Sequence, residues 1–194
     1  MLFQMSTSIK EDKTFRNLSR QGKVTEPTEF VNCTFIDCDF SNSSFSSSKF
    51  IDCTFTNCNM SLTKLSNCQL NNALFKECKL VGINFHECLD FLFSADFDSC
   101  ILDYGSFFQK KMIKTNFENC SMKNCDFTET DLMKSTFKNT DLTDTVFFKT
   151  NLREVNFLSA FNYGIDPEIN QLKKAKFSIV GVPGLLNKYG IEIQ

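Results

Sequence analysis

Ten cysteines and a single histidine are the residues of this 194-residue chain with the most obvious capacity for reactive or metal-binding chemistry. A zinc site would need about four ligands converging on one point. A disulfide would need two thiols held within bonding reach. The cysteine spacing suggests a different role. Cys38, Cys58 and Cys78 lie twenty residues apart, as do Cys33 and Cys53, Cys68 and Cys88, and Cys100 and Cys120. The close pairs Cys33/Cys38, Cys53/Cys58 and Cys120/Cys125 are interleaved with large apolar residues, which suits packing better than ligation. His86 stands beside Glu87 and Asp90, but nothing marks a nucleophile or a base with an orienting partner. The chain also lacks a glycine-rich phosphate loop, a dinucleotide fingerprint and a nucleophile elbow. The expectation is a non-enzymatic protein with no cofactor and no metal, whose cysteines are small buried residues.

The elements that position those cysteines follow from a second regularity. Phe30, Phe35, Phe40, Phe45, Phe50, Phe55, Met60, Leu65, Leu70, Phe75, Leu80 and Phe85 are spaced by five. After a two-residue slip the series resumes at Leu92 and continues through Phe97, Leu102, Phe107, Met112, Phe117, Met122, Phe127, Leu132, Phe137, Leu142, Phe147 and Leu152 to Phe157. Two residues before each of these centres the side chain is usually small, and nine of the ten cysteines fall there. Cys88 fits the same slot of the earlier register. A period of five matches neither an amphipathic helix nor a long alternating strand. It matches a chain that turns a corner at every step and closes a coil in four. Such coils would stack at the interstrand spacing of about 4.8 Å, with like side chains above one another. The expected core includes Phe97, Phe107, Phe117, Phe127, Phe137, Phe147, Cys38, Cys58 and Cys78.

The units Cys33-Thr34-Phe35, Cys125-Asp126-Phe127, Thr130-Asp131-Leu132 and Thr140-Asp141-Leu142 resemble the motif of the pentapeptide-repeat family. That resemblance implies an all-β solenoid: a right-handed, quadrilateral parallel β-helix with an N-terminal cap and a C-terminal helical cap. The expected divisions are a cap over 1–25, repeats over 26–160 with a two-residue insertion near 86–91, and a C-terminal cap with short helices over 161–194. About six and a half to seven and a half coils are expected. Asp166-Pro167-Glu168 reads as a helix start running to Leu172, and Pro183 to Gly190 as a second short helix. Ala175-Lys176-Phe177 reads as a final repeat. Leu185, Leu186, Tyr189, Ile191 and Ile193 form the candidate cap or homodimer surface, because some relatives dimerise through a C-terminal helical segment.

Charge and exposed apolar residues nominate the partner surfaces. Residues 25–160 carry 18 acidic and 12 basic side chains, a net of −6, while both ends are net positive. Asp96, Asp98, Asp126, Asp131 and Asp141 are candidate partner contacts. Resemblance to the Qnr-type branch implies a DNA-mimicking rod that binds DNA gyrase or topoisomerase IV and shields it from quinolones. That branch often carries long projecting loops, whereas the one break here is short. The alternative is a protein–protein scaffold using Phe93, Ile113 and Met133, which the spacing places in an outward stripe. Lys110 falls in an inward small-residue slot and is expected to reach water through a local bulge. No stretch approaches the roughly 18 apolar residues of a membrane span. Met1 to Lys13 lack a signal-peptide apolar run. The expectation is a cytoplasmic protein with reduced cysteines, no direct nucleic-acid contact and no membrane partner.

Overall fold

The computed structural model of the chain describes residues 8–192. Its corners have a local cause. Two residues beyond most centres the backbone adopts the left-handed region, as at Asn32, Asp37, Asn42, Asp52 and Asn57. Asn and Asp tolerate that conformation because their short polar side chains can satisfy nearby backbone groups. Several also bond vertically from coil to coil: Asn57 Nδ2 donates to Asp37 Oδ1 at 2.7 Å, and Asn72 Nδ2 to Asp52 Oδ1 at 2.7 Å.

Between corners lie very short strands. One four-stranded parallel sheet contains β1 (Ser8–Glu11), β3 (Thr28–Val31), β5 (Lys49–Ile51) and β7 (Gln69–Asn71). A nine-stranded sheet runs the length of the rod. It contains β2 (Thr14–Arg16), β4 (Thr34–Ile36), β6 (Thr54–Thr56), β8 (Ala73–Lys76), β9 (Ala95–Asp98), β10 (Asn116–Glu118), β11 (Thr136–Lys138), β12 (Asn156–Phe157) and β13 (Lys176–Phe177). Isolated parallel bridges form the other two faces, as in Asp39↔Asn59↔Lys79 and Ser106↔Asp126↔Val146. Phe35 pairs with Phe55 and Phe55 with Phe75, so successive coils stack like on like.

The interior is a set of columns. Rings of Phe15, Phe35, Phe55, Phe75, Phe97, Phe117, Phe137, Phe157 and Phe177 stack nearly parallel, with centroids 4.7–5.3 Å apart. Phe85, Phe107, Phe127 and Phe147 form a second column on the opposite side, and meet the first edge-to-face. Both geometries suit the aromatic quadrupole. The small slots are buried too, and their polar hydrogens are satisfied. Thr63 Oγ1 donates to the Phe40 carbonyl at 2.8 Å, Thr130 to Phe107 at 2.8 Å, and Cys125 Sγ to Leu102 at 3.2 Å. Cys, Ser and Thr therefore suit the slot alike: they are narrow enough for the corner, and most donate to the coil below.

The solenoid has about eight turns, more than the spacing of the centres suggests. The difference lies at the ends. Residues 8–25, expected as a cap, contribute β1 and β2 and pair with β3 and β4 as a first coil. Phe177 continues the long Phe column, as expected for a final repeat. The helix expected from Asp166 to Leu172 is only a turn, with Glu168 N–H donating to Asp166 Oδ1 at 2.9 Å. Two 3₁₀ segments, Val182–Leu185 and Asn187–Tyr189, stand where one short helix was expected, and Gly190 closes them at φ +60°. Gly181 and Gly184 lie so close to Tyr163 that a side chain at either would collide with it.

The register slip is also placed differently. Leu92 is exposed at a left-handed φ, and Phe93 takes its place in the core at 9% exposure. Cys68 and Leu70 bracket one residue; their counterparts Cys88 and Phe93 bracket four. Leu70 and Ala73 bracket two residues, whereas Phe93 and Ala95 bracket one. The chain gains three residues before Phe93 and loses one after it. The extra length forms an outward excursion over 89–92 that follows a 3₁₀ turn at Phe85–Glu87.

Candidate interaction surfaces

Faces are set by the columns, so each candidate residue can be placed by its rung. Asp96 and Asp98 share β9, on the long sheet. Asp126 lies on the opposite face, in the rung Ser106↔Asp126↔Val146. Asp131 and Asp141 occupy the two remaining faces, in Lys111↔Asp131↔Asn151 and Ser121↔Asp141↔Phe161. The five carboxylates thus divide among all four sides of the rod. Most also hold the backbone. Asp96 accepts Asn116 N–H at 2.7 Å, Asp126 accepts Thr128 N–H at 2.9 Å, and Asp131 accepts Met133 N–H at 3.1 Å. Asp141 accepts Thr143 N–H and faces Lys123 at 3.4 Å. Burial opposes ionisation of Asp141, but hydrogen bonds from Thr143, Asn162 and Lys123 outweigh it and hold its carboxyl below the usual range.

The stripe expected at Phe93, Ile113 and Met133 does not form. Ile113 and Met133 remain half-buried beside their centres, but Phe93 is itself a centre. The reason is the one-residue shift within the excursion, which turns Phe93 inward and Leu92 outward.

Lys110 is likewise not at a bulge that reaches water. It is 2% exposed, and its ammonium donates to the Cys88 carbonyl and, at 2.6 Å, to Asp90 Oδ1. It also lies 5.3 Å from the centroid of Phe93. The ammonium therefore ties the base of the excursion to the next coil. Phe91 at the tip is 70% exposed, and Leu89 and Leu92 are exposed beside it. Sequence reasoning missed Asp90, Phe91 and Lys110 as a unit. Its signal was a charged residue in a slot otherwise held by Ser48, Cys68, Cys88, Thr130 and Thr150.

At the C-terminal end, Leu185 packs against the core and Leu186 is half-buried, while Tyr189 and Ile191 are exposed. Ile193 lies outside the described residues. Ile179 and Val180 add exposed apolar surface that the spacing did not single out. Lys188 bonds Asp166 at 2.7 Å and Glu168 at 2.6 Å, and its hydrogen bonds hold both carboxyls below their usual range.

The expected core residues all lie inside. Phe97, Phe107, Phe117, Phe127, Phe137, Phe147, Cys38, Cys58 and Cys78 are buried. Burial pushes the thiols of Cys53, Cys68 and Cys125 up to about 12, which keeps them protonated at neutral pH. Among the described residues, no three His, Cys, Asp or Glu side chains converge as metal ligands would. Nor is any helix there long and apolar enough to cross a membrane.

Comparison with known proteins adds the following. The sequence matches the family described as "Pentapeptide repeat region" over residues 28–107 and "Pentapeptide repeats (8 copies)" over residues 111–147, more than half of the chain between them. No curated protein sequence matches it. Among solved structures, a trypsin-treated form of QnrB1, a plasmid-mediated fluoroquinolone resistance protein, superposes with a TM-score of 0.75 at 13% identity, over 97% of this chain and 99% of that one. A second trypsin-treated form of QnrB1 gives a TM-score of 0.61 at 16% identity, over 93% and 100% of the two chains.

Proposed function

The chain belongs to the pentapeptide-repeat family, and from that premise we propose that it is a non-enzymatic binding protein whose acidic rod takes the place of DNA on a bacterial type II topoisomerase, gyrase or topoisomerase IV. The observation that carries the proposal is charge on a solenoid of this shape. Residues 25–160 have a net charge of −6, and the acidic side chains named above lie on every face. A DNA duplex is also a rod charged around its whole circumference, so a basic saddle built for one can meet the other in several rotational settings. The superposition on QnrB1 supports the same reading through shared shape. Exposed apolar residues at the C-terminal end, Tyr189 and Ile191 among them, would serve a homodimer that doubles the rod's length.

The test is competition. The purified chain should displace DNA from gyrase and preserve supercoiling in the presence of a fluoroquinolone, and the effect should fade as salt is raised. Neither displacement nor protection at micromolar protein would sink the proposal.

A second reading, a protein–protein scaffold with no topoisomerase role, draws support from the excursion rather than from the Phe93 stripe. Phe91 is exposed on a segment pinned at its base by Lys110 and Asp90, an arrangement that presents an apolar side chain in one pose. On the scaffold reading, Phe91→Ser abolishes capture of a purified partner while leaving melting and gyrase competition unchanged. Retained capture by that variant would count against it.

A further inference from the structure

One surface groove, of about 450 Å³, is lined by residues of which the readings above use only Asp126. Its floor is the rung Asn84↔Ser106↔Asp126. Its walls are aromatic. His86 meets Phe108 edge-on with centroids 6.0 Å apart, and Tyr104 stands at the adjoining corner with 65% of its surface exposed. Tyr104 occupies a left-handed corner at φ +62°, a position that the two following coils give to Asn124 and Asp144. An aromatic residue there is disfavoured by the backbone and contributes little to the core.

Two oxygens of the groove lack a donor, one buried in its floor and one open to it. Asn84 Nδ2 donates to Glu87 Oε1 at 3.0 Å, but Asn84 Oδ1 is buried and has no partner. Asp126 Oδ1 accepts Thr128 N–H, which leaves Oδ2 for an incoming donor. No lysine or arginine lines the groove. A ligand suited to it has several donors, no acceptor, positive charge and a flat face for aromatic contact. A guanidinium has all four properties, whereas an ammonium is compact, strongly hydrated and has no plane to stack.

We propose that the groove lined by Asn84, His86, Tyr104, Phe108 and Asp126 is a binding site for an arginine side chain of a partner protein. The guanidinium lies against the aromatic walls, with its N–H groups directed to Asp126. The proposal deepens the reading of the chain as a binding protein, and rests on it only in taking the arginine to come from a protein.

The test uses the full chain, isotopically labelled, titrated with N-acetyl-arginine amide and followed by amide chemical shifts. Saturable shifts confined to the groove residues are expected. The uncharged isostere N-acetyl-citrulline amide should bind at least about fivefold more weakly, and the lysine analogue more weakly than arginine. Asp126→Asn keeps the acceptor for Thr128 but removes the charge, and should weaken binding about tenfold. Tyr104→Ala should weaken it about threefold. Both positions lie outside the core, so melting should change little. The proposal is overturned by shifts that do not saturate, by citrulline binding as well as arginine, or by Asp126→Asn leaving affinity unchanged. The two proposals fail separately: a chain that takes the probe but does not displace DNA from gyrase loses the topoisomerase reading alone, and the reverse result loses the groove alone.

Discussion

At the scale of single residues, the small inward slot decides what each side chain can be. Cys, Ser and Thr fill it because they are narrow and give a hydrogen to a carbonyl of the coil below, as Ser135 Oγ does to Met112 at 2.8 Å. Lys110 breaks the rule and is tolerated because two acceptors meet its ammonium, the Cys88 carbonyl and Asp90. Asp90 is 79% exposed, so its own desolvation is slight; the penalty for breaking the pair falls on the buried lysine. Asp90→Ala should therefore destabilise the chain by about 1–3 kcal/mol. Lys110→Thr installs the residue type of the next two rungs, Thr130 and Thr150, and should cost less than Asp90→Ala. In the Lys110→Thr background, Asp90→Ala should then cost almost nothing. Denaturant midpoints for the four-member cycle check this, and equal costs of Asp90→Ala in both backgrounds would show that the pair does not couple.

At the scale of the element, a typical corner is a left-handed residue followed by a short strand or a single bridged residue. Asn and Asp dominate these corners, but Leu62 occupies one at φ +57° with its side chain mostly in solvent. A leucine there is disfavoured by about 1–2 kcal/mol, offset in part by its contact over Gly82, where a Cβ would lie 2.7 Å from Leu62 Cδ2. Leu62→Asn should raise stability by roughly 0.5–1 kcal/mol, net of that contact. A thermal melt reads the sign directly; a lower melting temperature would mean that the Gly82 contact dominates. The excursion departs from the corner rule in the middle of the rod. Its existence was legible in the broken spacing of the centres, because two extra residues cannot be hidden in a strict period. Its internal register was not. Leu92 and Phe93 are both large and apolar, and either could fill the column; where the three added residues leave the coil decides between them.

At the scale of the whole molecule, stability should be nearly a sum over neighbouring coils. Phe117 has Phe97 at 5.3 Å on one side and Phe137 at 4.8 Å on the other, and is fully buried. Phe177 ends the described column and has one stacking neighbour, Phe157, at 5.2 Å. Phe117→Ala should cost about 3–5 kcal/mol, and Phe117→Asp should abolish cooperative unfolding. Phe177→Ala should cost far less, with increased hydrogen exchange confined to the last coil. Unfolding curves and exchange at the two sites make the comparison. Equal costs would mean that the rod melts as one unit rather than coil by coil. Its partners are set at this same scale, since charge is read by another molecule as a field around the rod and not residue by residue.

Spacing alone determined the solenoid, the identity of nearly every core residue and the structural role of the cysteines. A five-residue period leaves the backbone one repeating solution, and a narrow interior admits one large and one small side chain per corner. Tertiary structure alone decided the features that break the period. Stacking of actual coils extended the repeat into residues 8–25, where only Phe15 had hinted at it. It also turned Phe93 inward, and it brought Lys110 to Asp90 across twenty residues of sequence. The groove between His86, Tyr104 and Asp126 arises in the same way: its members belong to different coils, and only the vertical offset of one coil on the next makes them neighbours.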